Sequence, residues 1–117
     1  MGFWAIERKE DAQVVGSVVL RPLPSDTRVE VGWHLGREFW GNGYATEAGA
    51  GALIYGFMIR DLTEIFAIVR ETNEPSKRVC ERIVLKFIEV TNKYHGLYLR
   101  LYGVSRAEWH EFCETER

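Results

Sequence analysis

The chain has 117 residues, 46% of them hydrophobic and 27% charged, with a formal charge of -2. That length holds one domain, residues 1–117, and the apolar fraction, with six Phe, five Tyr and four Trp, excludes a disordered chain. The near balance of 15 basic and 17 acidic residues argues against nucleic acid as a partner. No apolar run reaches the ~20 residues of a membrane span, and Met1 to Lys9 lacks a leader pattern, so no membrane partner is expected and the expected compartment is cytoplasmic.

In chain order, Phe3–Arg8 is a short apolar strand, and the polar cluster Lys9–Ala12 is a turn. Gln13–Arg21 is rich in β-branched residues and pairs with the first strand. Pro22, Pro24, Ser25 and Asp26 break it. Arg28–Leu35 alternates, with Val29, Val31, Trp33 and Leu35 on one face and Glu30, Gly32 and His34 on the other. Gly36–Gly43 is a loop. Tyr44–Arg60 is a helix apolar nearly all round, and its small residues Ala45, Ala48, Gly49, Ala52 and Gly56 suit close packing on a sheet. Glu64–Arg70 reads as a strand covered on both faces. Asn73–Leu85 is a second helix, N-capped by Asn73 with Pro75 in its first turn; Ser76, Val79, Cys80 and Ile83 share a stripe. Phe87–Lys93 and Leu97–Ser105 form a hairpin turned at His95-Gly96. A Ser105-x-x-Glu108 capping box starts a last helix, Arg106–Phe112. The order β-β-β-α-β-α-β-β-α predicts an α/β (α+β) fold: a mixed, mostly antiparallel sheet with one central β-α-β crossover.

The sharpest chemical feature is Trp40-Gly41-Asn42-Gly43-Tyr44-Ala45, between a strand and a helix. Glycines there allow backbone N–H groups to converge, and the helix N-terminus adds about half a positive charge, which suits a diphosphate. The alternative is a turn kept for geometry alone. Neither the dinucleotide fingerprint nor the P-loop is present. Cys80 and Cys113 form no CxxC, and the three histidines show no ligand spacing, so no metal site and no disulfide framework are expected.

Gly41 to Ala48, Gly-Asn-Gly-Tyr-Ala-Thr-Glu-Ala, resembles the acetyl-coenzyme A loop of the GNAT N-acetyltransferases, in the branch of the ribosomal-protein N-terminal acetyltransferases. Trp40 stands where most of the family has Gln or Arg. Glu30-Val-Gly-Trp-His-Leu resembles that family's fourth strand, Asn73-x-x-Ser76-x-Arg-Val its second cofactor-side helix, and Arg106-Ala-Glu-Trp109 its tail. The match runs from Phe3 nearly to the end. Two departures stand out. Family members carry a further strand and one or two helices before the equivalent of Phe3, so the fold is expected in N-terminally truncated form. Val84 stands where the family has Gly, so the helix end is expected to be rebuilt there.

The resemblance implies an acetyl-CoA-dependent N-acetyltransferase acting on a primary amine, a protein N-terminus or a small molecule, by direct attack on the thioester. Trp33, His34 and Leu35 would pair their backbone with the pantetheine, and amides of that strand would polarise the thioester carbonyl. Trp40, Gly41, Asn42, Gly43, Tyr44, Ala45 and Asn73 would contact the cofactor. Glu30, with Gly32 leaving room beside it, is the candidate base; the alternative is a solvent-facing glutamate. Ser76 either reprotonates the departing thiol or serves only in capping. Tyr94, Tyr98 and Tyr102 either line an acceptor cleft or pack. A different class remains open: a truncated, non-catalytic acyl-CoA-binding or oligomerisation module. Phe3, Trp4 and Ile6 begin the chain with no element to cover them, which predicts a homodimer through the Phe3–Arg21 hairpin.

Overall fold

The computed structural model describes residues 1–24 and 26–115. Ser25, counted among the strand-breaking residues, lies outside the described residues. Six strands and three helices alternate as expected. The strands are β1 (Gly2–Glu7), β2 (Val14–Pro22), β3 (Val29–Leu35), β4 (Glu64–Arg70), β5 (Lys86–Thr91) and β6 (Leu99–Ser105). The helices are α1 (Tyr44–Met58), between β3 and β4, α2 (Glu74–Arg82), between β4 and β5, and α3 (Arg106–Thr115). A single turn of 3₁₀ helix, Arg37–Phe39, lies in the glycine loop, where the sequence showed only a loop.

The strands form one sheet in the order β1-β2-β3-β4-β6-β5. Every pairing is antiparallel except β3 with β4, which is parallel and registers only at Glu30 opposite Phe66. Beyond that pair the two strands part. β-Branched residues and leucines fill the face that meets the helices: Val18, Leu20, Val29, Val31, Ile65, Ala67, Val69 and Val104 pack with Leu53 and Phe57 of α1, Val79 and Cys80 of α2 and Trp109 of α3. A smaller cluster, Leu23, Phe66, Tyr94, Leu99 and Leu101, sits apart from it. Since β-strand side chains alternate, Phe66 and its partner Glu30 share the face turned away from the helices.

The small residues of α1 do bring it close. A Cβ on Gly56 would stand 2.7 Å from Ile65 Cδ1, and one on Gly49 would stand 3.1 Å from Ile83 Cδ1.

Three expectations need correction. First, α2 stops at Arg82, and its end is not rebuilt around Val84. Val84 itself adopts the left-handed conformation at φ 68°. The Leu85 amide donates to the Cys80 carbonyl at 2.9 Å and the Val84 amide to the Glu81 carbonyl at 3.2 Å, the two bonds of a Schellman end normally made with glycine. A β-branched residue there costs about 1–2 kcal/mol, which the bonds and the burial of Ile83 and Leu85 on either side offset. Second, Trp4 and Ile6 are not uncovered. They point to the helix side, pack against the main core, and Trp4 meets Tyr55 edge-on at 5.0 Å. Only Phe3, 73% exposed, is bare. Third, Pro22 belongs to β2, opposite Val29, and the turn follows it. Of the two readings of the tyrosines, packing holds for Tyr94 and Tyr102, which are buried, while Tyr98 is exposed. The Tyr94 hydroxyl donates to Asp26 Oδ2 at 2.8 Å, tying the β2–β3 turn to the β5–β6 loop.

Candidate active site

The parting of β3 and β4 creates a cleft, and the sequence just after each strand furnishes its walls. After β3 the chain runs through Gly36–Gly43 into α1. Gly41 and Gly43 have φ of 85° and 79°, and a Cβ on either would meet nothing within 4 Å. These glycines are needed for conformation, and the space above them is open. Gly43 is the N-cap of α1 and supplies no side-chain acceptor, so the first-turn amides are left without a protein side-chain cap. That is the local structure of an anion site. Trp40 braces the loop, donating its indole N–H to the Leu35 carbonyl at 3.1 Å, while the Arg37 guanidinium lies 5.5 Å from its ring centre. The Asn42 side chain donates to the Phe39 carbonyl at 3.1 Å and so shapes the loop from within. Tyr44 sends its hydroxyl toward Glu10, at 3.4 Å, and Ala45 is buried.

A hollow of about 320 Å³ lies over these amides, with Leu35, Trp40 and Ala45 on one side and Arg78 and Arg82 of α2 on the other. The sequence reading gave neither arginine a role, although Arg78 is the Arg of the Asn73-x-x-Ser76-x-Arg-Val motif. Their spacing of four along one helix face, beside a glycine loop, is the signal that could have found them.

A second hollow of about 470 Å³ lies on the other side of the split. Trp33, His34, Asn73 and Ser76 line both, so the two hollows adjoin at these four residues and together form a passage. Asn73 caps α2 by accepting the Ser76 amide at 3.1 Å. The Ser76 hydroxyl does something else: it accepts the Trp33 indole N–H at 3.2 Å. Its own proton is therefore available to point into the passage. The capping role belongs to Asn73, and Ser76 is left as a donor. His34 is exposed at the rim. Cys80 is fully buried under α2, and desolvation pushes its thiol up to about 12, so it stays protonated and is no nucleophile.

Glu30 is not solvent-facing. It is 4% exposed, held by the Arg21 guanidinium Nε at 3.2 Å to Oε2. Its other oxygen lies toward bare Gly32, where a Cβ would come within 4.0 Å of it. The sequence brings Glu30, Trp33, Ser76 and the Gly41–Ala45 amides to one passage, and it leaves Tyr94, Tyr98 and Tyr102 out of it. A third hollow, about 640 Å³ between β1 and α1, shares only Tyr44 with these residues. No group of residues suited to a metal occurs among the described residues, and no helix there is long and apolar enough to cross a membrane.

YkkB, an uncharacterised protein of Bacillus subtilis, is 31% identical over 97 residues, covering 81% of this chain and 56% of YkkB. Further relatives carry the name N-acetyltransferase. The chain spans about half the length of the first of these relatives. The crystal structure of a GNAT-family acetyltransferase from Bacillus anthracis superposes with a TM-score of 0.78 at 25% identity, over 91% of this chain and 67% of that one. RimJ of Mycobacterium smegmatis, in complex with CoA-disulfide, has the same fold, with a TM-score of 0.73 at 21% identity over 92% of this chain and 57% of that one. The acetyltransferase (GNAT) domain model matches residues 1–86, and the chain belongs to that family.

Proposed function

We propose that this chain is a single-domain N-acetyltransferase that uses acetyl-coenzyme A to acetylate a primary amine. The observation that carries the reading is the uncapped N-terminus of α1, facing a passage that continues to Ser76 and Glu30. The site fits the coenzyme. First-turn amides after Gly41 and Gly43 would hold the diphosphate, with Arg78 and Arg82 adding charge. When bound, the coenzyme supplies an acetyl thioester. Trp33–Leu35 offers a strand edge beyond the last β3–β4 pair, free to bond an extended chain. Glu30 accepts the proton that the ammonium must lose before its nitrogen bonds the acetyl carbon. Ser76, one lone pair engaged by Trp33, would relay a proton: its hydroxyl gives one to the sulfur as the C–S bond breaks and takes back the one the nitrogen sheds as the amide forms. Holding the reactants along one passage supplies much of the rate.

Calorimetry with acetyl-coenzyme A tests this. The wild-type chain should bind, and Gly43→Glu, folded by circular dichroism, should not. Equal affinity in the two would overturn the site.

Exposed Phe3 on the terminal strand β1 supports a homodimer joined through the β1–β2 hairpin. Trp4 and Ile6, turned to the core, would not be part of that contact.

A further inference from the structure

The far hollow also carries information about the acceptor. We infer that it is shaped for a small zwitterion, a primary amine with a carboxylate beside it, as in a free amino acid with an apolar side chain. The inference rests on the acetyl-transfer reading and specifies its acceptor.

Four side chains around Glu30 decide the matter. Among the described residues Glu30 is the only carboxylate lining this hollow, which Arg21, Arg70, His34 and His95 also line. Glu30 gives Oε2 to Arg21, while Oε1 has no protein donor among the described residues. Arg21 uses Nε for that pair, and its side chain is 59% exposed. Its two terminal nitrogens carry no protein partner among the described residues. The ion pair therefore presents a free carboxylate oxygen and a free guanidinium end side by side. An ammonium fits the first and a carboxylate fits the second, in the forked geometry that guanidinium favours. Register puts the two in place: Arg21 lies directly opposite Glu30 across β2 and β3. Phe3, Val19, Leu97 and Leu99 line much of the rest and are apolar.

The same charges work against the alternatives. A polyamine would bring a second cation to a wall that holds two arginines and, among the described residues, no second carboxylate. A peptide N-terminus would bring an amide where the guanidinium offers donors to an anion.

Thiol release from acetyl-coenzyme A measures the preference. L-phenylalanine should exceed L-phenylalaninamide and spermidine in kcat/KM by about tenfold or more, the worth of one charge-assisted pair. Arg21→Gln should bring the acid-to-amide ratio near one, and because the reading is a ratio, a general loss of activity divides out. Binding to the wild-type chain without coenzyme, followed by tryptophan emission, gives a readout independent of turnover and of the variant's folding; phenylalanine should saturate at lower concentration than the amide. Turnover of the amide or of spermidine at equal or higher efficiency would overturn the zwitterion while leaving acetyl transfer standing. If no amine releases thiol, acetyl transfer fails, and the binding measurement alone decides the zwitterion: selective binding supports it and equal binding refutes it.

Discussion

Three glycines of the α1 region are expected to respond to alanine in three different ways, because each is glycine for a different reason. Gly51 is exposed on α1, and an added Cβ meets nothing within 4 Å. Gly51→Ala should therefore gain the helix preference of alanine, about 1 kcal/mol. Gly43 is equally open but has φ of 79°, so Gly43→Ala should lose about 1 kcal/mol through backbone strain. Gly56 is crowded. Its Cβ would lie 2.7 Å from Ile65 Cδ1, 3.3 Å from Leu62 Cδ1 and 3.4 Å from Leu20 Cδ1, and Ile65 and Leu20 are fully buried. Overpacking of this kind costs about 1–3 kcal/mol, against about 1 kcal/mol of helix preference, so the net is a loss of about 1 kcal/mol. A chain of 117 residues carries about 0.25 kcal/mol/K of unfolding entropy near its midpoint, or about 4 °C per kcal/mol. Thermal melts should place Gly51→Ala about 4 °C above wild type and the other two about 4 °C below. Ile65→Val removes the clashing methyl, so the double variant with Gly56→Ala should lose less than the sum of its parts by about 1 kcal/mol. The pair with Gly43→Ala should be additive. Additivity in the Gly56 pair would refute the close contact of α1 with β4.

Glu30→Gln should lower turnover by roughly 10²–10⁴-fold, with the deficit greatest at low pH, where the ammonium gives its proton to water least readily; a pH–rate profile shifted uniformly would remove Glu30 as the base. Asp26 is held down at about 2, first by the Arg28 amide and then by the Tyr94 hydroxyl. A depressed carboxyl stabilises the fold above its ordinary value of 3.8 and loses that contribution as pH falls toward 2, so acid titration of the fold should steepen in that window. Tyr94→Phe should flatten part of that acid response and cost about 1 kcal/mol at neutral pH, as chemical denaturation would show. Light scattering should find a dimer at micromolar concentration that Phe3→Glu dissociates, with the variant still folded by circular dichroism and its melting point no longer dependent on concentration; a monomeric wild type would exclude the dimer.

Much of this was legible in the sequence, for reasons that differ by element. Period-two alternation in Val29–Leu35 fixes the facing of every side chain on β3, so Glu30, Gly32 and His34 emerge together on one side. The burial of Glu30 was not legible, because it depends on Arg21 across β2 and on Phe66 across the crossover, 36 residues away. Ser76 was ambiguous for a similar reason. The local pattern Asn73-x-x-Ser76 explains its amide but says nothing of its hydroxyl, whose partner, Trp33, lies 43 residues earlier. Val84 shows the opposite failure. Intrinsic preference forbids a left-handed valine, yet the packing of Ile83 and Leu85 on either side imposes it.

The placement of the site follows from one topological fact. Antiparallel neighbours can be joined by hairpins, but the parallel pair β3 and β4 must be joined by a crossover, and here that crossover is α1. A helix that follows a strand begins near that strand's C-terminal end. Since β3 and β4 point the same way, α1 and α2 both begin at the same edge of the sheet. The edge therefore gathers two helix N-termini, at Tyr44 and Glu74, each preferring negative charge. It is also where the two strands part after a single registered pair. Strands that stayed paired to their ends would close the passage and bury Ser76 behind a continuous ladder. Parting opens the sheet between a positive rim on the helix side and Glu30 on the other, so that an anionic ligand and an ammonium can approach one point from opposite faces. The Trp33–Ser76 bond spans this gap, linking β3 to α2 where no backbone pairing remains to do so.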